Sequence, residues 1–420
     1  MHNPEISVPE LPSFDIKTPL YRAVIVFCVV LCLTPLLQTL APRILGFLPA
    51  LAGLVFVAAL RILNGRWPPQ NRLYITLALA TGSLAAFSSL WSIDPGFALE
   101  RALKIAALLC GGYALFTALR LNIAWPRFLY GAFPLALLGA GVLCAVELWS
   151  HGLLYRIWRD VDISSYNPSV ANRAVVSFAL LLLPTLGFLR LSSCGLVQKR
   201  LLQCAFLAVS IAIALTTQSQ SAHMVLIVAG LFWLAFPVFS NSKTAQLALI
   251  TSVSLGIILS PWLVQLLYSG LAGEVHTLPW FADAYAADRL EIWDFVARKA
   301  LENPLYGFGL EATRHIKHFD TAMLYTPLDH VLHPHNAVLQ IWIEFGAIGA
   351  LGLCAAVTAI LRHIFKLDKQ AGPVCLAAFM AGFVAACISY GLWQGWWLGL
   401  FSLLAALCGH LARNSKKTAS

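Results

Sequence analysis

Charge is what this sequence has least of. Only 11% of its 420 residues are Asp, Glu, Lys or Arg, against roughly 25% in soluble globular chains, which excludes two or three solvated cytosolic domains. Also missing are the phosphate-cradling glycine loops GxxxxGK[ST] and GxGxxG and the GxSxG nucleophile turn, so P-loop, dinucleotide-binding and α/β-hydrolase readings fall away. The ten cysteines form no CxxC pair. Nearly all sit in apolar runs and none in the longest polar loop, which excludes a disulfide framework and a zinc ribbon. There is no low-complexity tract. The N-terminus carries Glu5, Glu10 and Asp15 before the first apolar run and lacks the short basic start and cleavage site of a signal peptide, so the first span is expected to stay in the mature chain.

What the sequence has is hydrophobic length. It is 59% hydrophobic, with mean hydropathy +0.77, and its apolar runs are long enough to cross a ~30 Å hydrocarbon core. The expected fold is an all-α polytopic membrane protein with spans near 23–40, 44–62, 73–90, 102–119, 128–148, 170–189, 201–217, 223–239, 245–267, 337–360, 373–389 and 398–411. The net charge of +9 forms no nucleic-acid patch, because the basic residues fall one to three at a time between spans. Most lie on the side of the N-terminus, including Arg61, Arg72, Arg120, Arg127, Arg190, Lys199, Arg200, Lys243, Arg362, Lys366 and Lys369. That bias predicts cytoplasmic termini, 1–22 and 412–420. Two span blocks, 23–267 and 337–411, then flank one long outer loop, 268–336.

The loop is rich in aromatics, among them Trp280, Phe281, Tyr285, Trp293 and Phe308, so order is expected rather than disorder. Asp288 with Glu291 three residues on resembles a capped start, and Leu290, Trp293, Val296, Ala297 and Ala300 repeat at helical spacing. This predicts an amphipathic helix over 289–301, stopped before Pro304, with Arg289 and Trp293 on one face. Just before the next span stands His333-Pro334-His335-Asn336. A histidine at the outer end of a span is placed to take a proton from a substrate at the interface. Two other readings stay open: a histidine pair capping a helix start, and a metal site with His330 as third ligand. Glu147 and Glu344, in or near apolar runs, are read as structural. Trp280, Trp393, Trp396 and Trp397 are read as an interfacial aromatic belt.

The run HPHNAVLQIWIEFGAIGALG resembles the signature of the O-antigen ligase and O-antigen polymerase superfamily. Arg289-Leu290-Glu291-Ile292-Trp293, the turn Asn303-Pro304-Leu305-Tyr306-Gly307-Phe308-Gly309, and Trp91-Ser92-Ile93-Asp94-Pro95 followed by Arg101 are similar to further motifs of that family in the same order. The resemblance covers about residues 75–360 and implies a GT-C-like membrane glycosyltransferase of the bacterial inner membrane, acting in lipopolysaccharide biosynthesis. Such an enzyme moves a glycan from undecaprenyl diphosphate to an acceptor hydroxyl on the periplasmic face, with lipid A-core as acceptor in a ligase. The implied transfer is inverting, without metal or cofactor, with His335 as base and Arg289 gripping the diphosphate. His333, Asn336 and Trp293 complete the expected site. A polymerase or a protein O-oligosaccharyltransferase differs only in acceptor, and a lipid-linked glycan transporter is the rival from another class. One departure stands out: Gln220 occupies the position of the family's arginine in Thr217-Gln218-Ser219-Gln220-Ser221-Ala222-His223. A charged group within a span is functional by default, so Arg173 is the leading replacement, with snorkelling to the interface as the alternative. His223, Arg314 and Lys317 are further candidates.

Overall fold

The computed structural model describes residues 18–65, 67–123, 125–277, 286–316 and 332–418. Every regular element among them is helical. In chain order these are α1 (Pro19–Leu40), α2 (Leu48–Asn64), α3 (Arg72–Phe87), α4 (Pro95–Leu119), α5 (Leu129–Trp149), α6 (Leu153–Arg159), α7 (Asn172–Leu191), α8 (Leu196–Thr216), α9 (Gln220–Asn241), α10 (Lys243–Thr277), α11 (Ala286–Glu302), α12 (Ala337–Ile364), α13 (Ala371–Ile388) and α14 (Gly395–Thr418). Helix starts carry the expected polar caps: Thr18, Asn71, Asp94 and Asn336 each accept a backbone N–H of the first turn, relieving groups that a helix end leaves unpaired.

Twelve helices among the described residues are long and apolar enough to cross a membrane, and they coincide with the predicted spans; only the short α6 and the loop helix α11 are not of that kind. The chain is an all-helical, multi-pass membrane protein. The last span is longer than 398–411, running from Gly395. Helix α11 begins before the predicted 289, so Asp288 lies in its first turn rather than at its cap, where a carboxylate still meets the positive helix end.

Each crossing reverses direction, so the segments after α3, α5, α8, α10 and α13 share one face. Helix α13 is central, packed against α7, α9, α12 and α14. Its buried residues are mostly small, including Ala377, Ala378, Ala381, Gly382, Ala385 and Ala386, which lets neighbouring helices approach closely where no hydrophobic effect drives them together.

Helix α12 is not continuous. Gly346 has φ +57 and ψ −149, which breaks the hydrogen-bond ladder and frees backbone groups on both sides. The 303–309 turn fills the break: Ala347 N donates to Pro304 O (2.8 Å), Ile348 N to Leu305 O (3.2 Å), Phe308 N to Ile343 O (2.8 Å) and Gly309 N to Glu344 O (2.9 Å). Unpaired backbone in this environment would cost several kcal/mol per group, so the insertion is what makes the break tolerable. Only glycine serves here. A Cβ on Gly346 would lie 2.5 Å from the Leu305 carbonyl carbon, and one on Gly307 2.6 Å from that of Glu344.

Gly346→Ala is therefore expected to destabilise the protein by about 2 kcal/mol or more, read as a fall in thermal unfolding temperature in detergent. Gly352→Ala, with nothing within 4 Å of its Cβ, is the control and is expected to leave stability unchanged or raised.

Candidate active site

A helix leaves its last carbonyls without partners, and they carry the negative end of its dipole. At the end of α13 two of these carbonyls, on neighbouring residues, are taken by groups distant in sequence. Arg289 Nη1 donates to Ile388 O at 3.1 Å, and His335 Nδ1 to Ser389 O at 2.6 Å. A carbonyl only accepts, so Nδ1 of His335 carries the proton and Nε2 keeps its lone pair. Three further bonds hold the residues on either side of His335. Trp293 Nε1 donates to Pro334 O (2.7 Å), one helical turn along α11 from Arg289. Asn336 Oδ1 accepts from Val338 N (3.0 Å) and Leu339 N (3.1 Å). His335 itself has φ +53, an uncommon conformation for a residue with a Cβ, held from both sides by these contacts.

His333 stands beside it, the two rings edge to face at 4.2 Å. Its state follows from its neighbours. Gln394 Oε1 accepts from Trp396 Nε1 (2.8 Å), so the amide nitrogen of Gln394 donates to His333 Nε2 (3.0 Å). His333 is thus protonated at Nδ1, an atom buried with no hydrogen-bond partner among the described residues. Burial, then His335, Arg314 and Arg173, push its pKa down to about 3. Burial also lowers the pKa of His335, helped by Arg289 and opposed by the Ser389 carbonyl. Near neutral pH both rings are uncharged, and one of them presents a free basic nitrogen.

Arg173, in the first turn of α7, lies over the Trp396 ring, 5.7 Å from its centre. Tyr390 packs on the same indole at 4.7 Å. The partners of Arg289 and Arg173 in these contacts are a carbonyl and an indole, both uncharged, while the neighbouring Asp288 carboxylate acts on Arg289 electrostatically.

Of the residues singled out from sequence, Arg289, Trp293, His333, His335 and Arg173 come together. Asn336 is adjacent, and its side-chain oxygen caps α12. Arg314 is bound to Glu311 at 2.5 Å, with Arg101 on the same carboxylate at 3.8 Å, so one carboxylate serves two guanidinium groups. His223 Nε2 donates to Ala214 O (2.7 Å), tying the start of α9 to the end of α8. Gln220 opens α9, half-buried. Lys317 and His330 lie outside the described residues, as do Trp280, Phe281 and Tyr285.

The tryptophan belt needs correction. Trp393, Trp396 and Trp397 are 9%, 5% and 0% exposed, too buried to face lipid. Trp393 Nε1 donates to Glu344 (2.6 Å), which also accepts from Gln340 (2.9 Å). Gln340 in turn accepts from Leu392 N (2.8 Å). This buried network clamps the 389–394 segment onto α12 and gives Glu344 the structural part expected of it. Glu147 is likewise structural, accepting from Leu154 N (2.8 Å) and Tyr155 N (3.1 Å) at the start of α6. Sequence reasoning missed Ser389, Tyr390, Gln394 and Trp396. Their signal was the density of polar and aromatic residues in Ser389-Tyr390-Gly391-Leu392-Trp393-Gln394-Gly395-Trp396, which is more than a simple turn between spans requires.

Residues 205–354 match the family described as O-antigen ligase. The matched segment is about a third of the chain. It contains Arg289, Trp293, His333 and His335, while Arg173 and the 388–396 segment lie beyond it. Among curated proteins, the chain is 39% identical over 120 residues to a protein of Rickettsia conorii, a match covering 27% of this chain and 29% of the relative. It is 35% identical over 124 residues to one of Rickettsia typhi, with the same coverage, and 32% over 154 residues to one of Rickettsia bellii, covering 32% and 35%. All three carry the provisional name polysaccharide ligase. The chain spans about a third or less of the length of these relatives.

If Asn336 acts through its cap, Asn336→Asp keeps the acceptor and is expected to retain stability. Asn336→Ala is expected to lose about 1 kcal/mol, and thermal unfolding of the two purified variants distinguishes them.

Proposed function

We propose that the chain is an O-antigen ligase-like glycosyltransferase of the bacterial inner membrane, with both termini cytoplasmic and its site periplasmic. It transfers a glycan from undecaprenyl diphosphate to an acceptor hydroxyl, lipid A-core being the acceptor the family match favours. The observation that carries this reading is the pair of adjacent carbonyls at Ile388 and Ser389, which hold a guanidinium and an imidazole with a free Nε2 side by side.

In the proposed reaction the acceptor O–H gives its proton to His335 Nε2, and the oxygen attacks the anomeric carbon from the side opposite the diphosphate. The C–O bond to the diphosphate breaks with inversion, and the leaving group takes the electron pair. Arg289 and Arg173 receive the developing charge; a guanidinium matches phosphate oxygens in geometry and sign. This division of labour calls for no metal ion. Neutral His333, its Nε2 held by Gln394, braces His335 and is not a second base. Gln220, His223 and Trp293 line or brace the approach, and the charge that Gln220 lacks relative to the family pattern is supplied by Arg173.

The test is glycan transfer by membranes of a ligase-deficient bacterium expressing the variants. His335→Ala is expected to lower transfer by about 10²–10⁴-fold, the usual contribution of a general base. Arg289→Ala is expected to lower it about 10²-fold or more, both at normal membrane levels. Unchanged transfer by either variant overturns the mechanism.

The pH profile gives a second test. The base works only when neutral, and its folded pKa lies below the ~6.5 of a free imidazole, so kcat/KM is expected to hold steady below pH 6.5. It falls only as pH drops through the lowered value. A profile already halved at pH 7 would contradict this.

A further inference from the structure

Tyr390 is absorbed by none of the motifs above, yet it sits where the site's parts meet. It follows directly on Ile388 and Ser389, whose carbonyls hold Arg289 and His335. Its ring packs edge to face on Trp396 at 4.7 Å and on Trp397 at 5.4 Å, and Arg173 lies over that same Trp396. The phenol thus shares Trp396 with the Arg173 guanidinium of α7, and both that group and the Arg289 guanidinium of α11 act on it electrostatically. Two cations and one hydroxyl donor from three separate segments form a set suited to a ligand with several anionic oxygens, since a phenolic O–H adds to the guanidinium forks a donor on another line. The aromatic cage fixes the ring with little rotamer freedom left to lose on binding.

We infer that the Tyr390 hydroxyl is a third ligand for the diphosphate of the lipid-linked donor, hydrogen-bonding an oxygen of the group that Arg289 and Arg173 hold. The inference rests on the proposed function and adds a residue from outside the family-matched segment. The hydroxyl keeps its proton throughout: burial pushes its pKa up to about 12 against the pull of Arg173 and Arg289. Its donation strengthens as the C–O bond to the diphosphate breaks and negative charge gathers on the leaving oxygens. The acceptor's proton still goes to His335, so no additional acid is needed.

The experiment measures binding of farnesyl diphosphate, as a short polyprenyl diphosphate, to the full chain purified in detergent. Tyr390→Phe keeps the stacking on Trp396 and Trp397 and removes only the hydroxyl. It is expected to weaken binding about 10-fold, as loss of one hydrogen bond to a charged group does, while farnesol binding stays equal between the two proteins. Arg289→Ala and Arg173→Ala are measured in parallel. If the arginine variants weaken binding and Tyr390→Phe binds like the parent, the inference about Tyr390 is overturned and the diphosphate reading survives. If neither the parent nor any variant distinguishes farnesyl diphosphate from farnesol, the diphosphate reading fails and takes this inference with it. Should Tyr390→Phe not fold, 3-fluorotyrosine placed at position 390 provides a ¹⁹F resonance. That resonance is expected to shift on addition of farnesyl diphosphate but not farnesol, and a resonance indifferent to both overturns the proposal.

Discussion

The geometry of the site depends on how one helix ends. Helix α13 stops at Ile388, and its last carbonyls must find donors because they are held away from water. The donors are an arginine from the loop helix α11 and a histidine from the strand of chain leading into α12. Both gain from the negative end of the helix dipole. The consequence is chemical as well as structural. An imidazole that donates from Nδ1 to a carbonyl is fixed in one tautomer, and its other nitrogen is left unprotonated, the state a general base requires. The same carbonyl row that satisfies α13 therefore sets both the position and the protonation of His335.

The break in α12 is what brings the loop to that point. Residues 303–309 replace the hydrogen bonds that Gly346 interrupts, so the loop is anchored into the helix bundle through its backbone instead of resting on it. Helix α11, with Arg289 near its start, leads into this anchor, and the turn also meets the α3–α4 connection. There Ile93 N donates to Phe308 O (3.3 Å), Leu310 N to Ser88 Oγ (3.2 Å) and Trp91 Nε1 to Tyr306 O (3.1 Å). Three of the four motifs that resemble the family, far apart along the chain, are three sides of one backbone junction. Their glycines are required at φ values of +57, +66 and +86, where side chains are strained or excluded.

Much of this was legible in the sequence, for identifiable reasons. Spans announce themselves through length and hydropathy, because a bilayer demands both. The amphipathic α11 showed itself through its apolar spacing, and His335, Arg289 and Trp293 through motif order. Where the reading went astray, a single sequence lacked the third dimension. Trp393, Trp396 and Trp397 fit an interfacial belt by composition alone; only packing tells that they face inward, toward Glu344, Gln394 and Tyr390. Asn336 follows a histidine as in the family motif, and as an Asn before an apolar run it is also a helix cap, holding the two backbone partners a cap takes.

The departure at Gln220 bears on how such a site tolerates change. A positive charge that stabilises a leaving diphosphate has to lie within a few ångströms of it, but the helix that delivers it is not dictated by the chemistry. Arg173 arrives from α7, which packs against both α9 and α13, and its guanidinium rests on Trp396, whose indole also donates to Gln394 and through it positions His333. A charge brought in this way is coupled to the histidine pair through an aromatic platform. Placing the arginine on α7 ties the grip on the leaving group to the 389–396 segment that also orients the base, so displacing that segment would disturb both functions together.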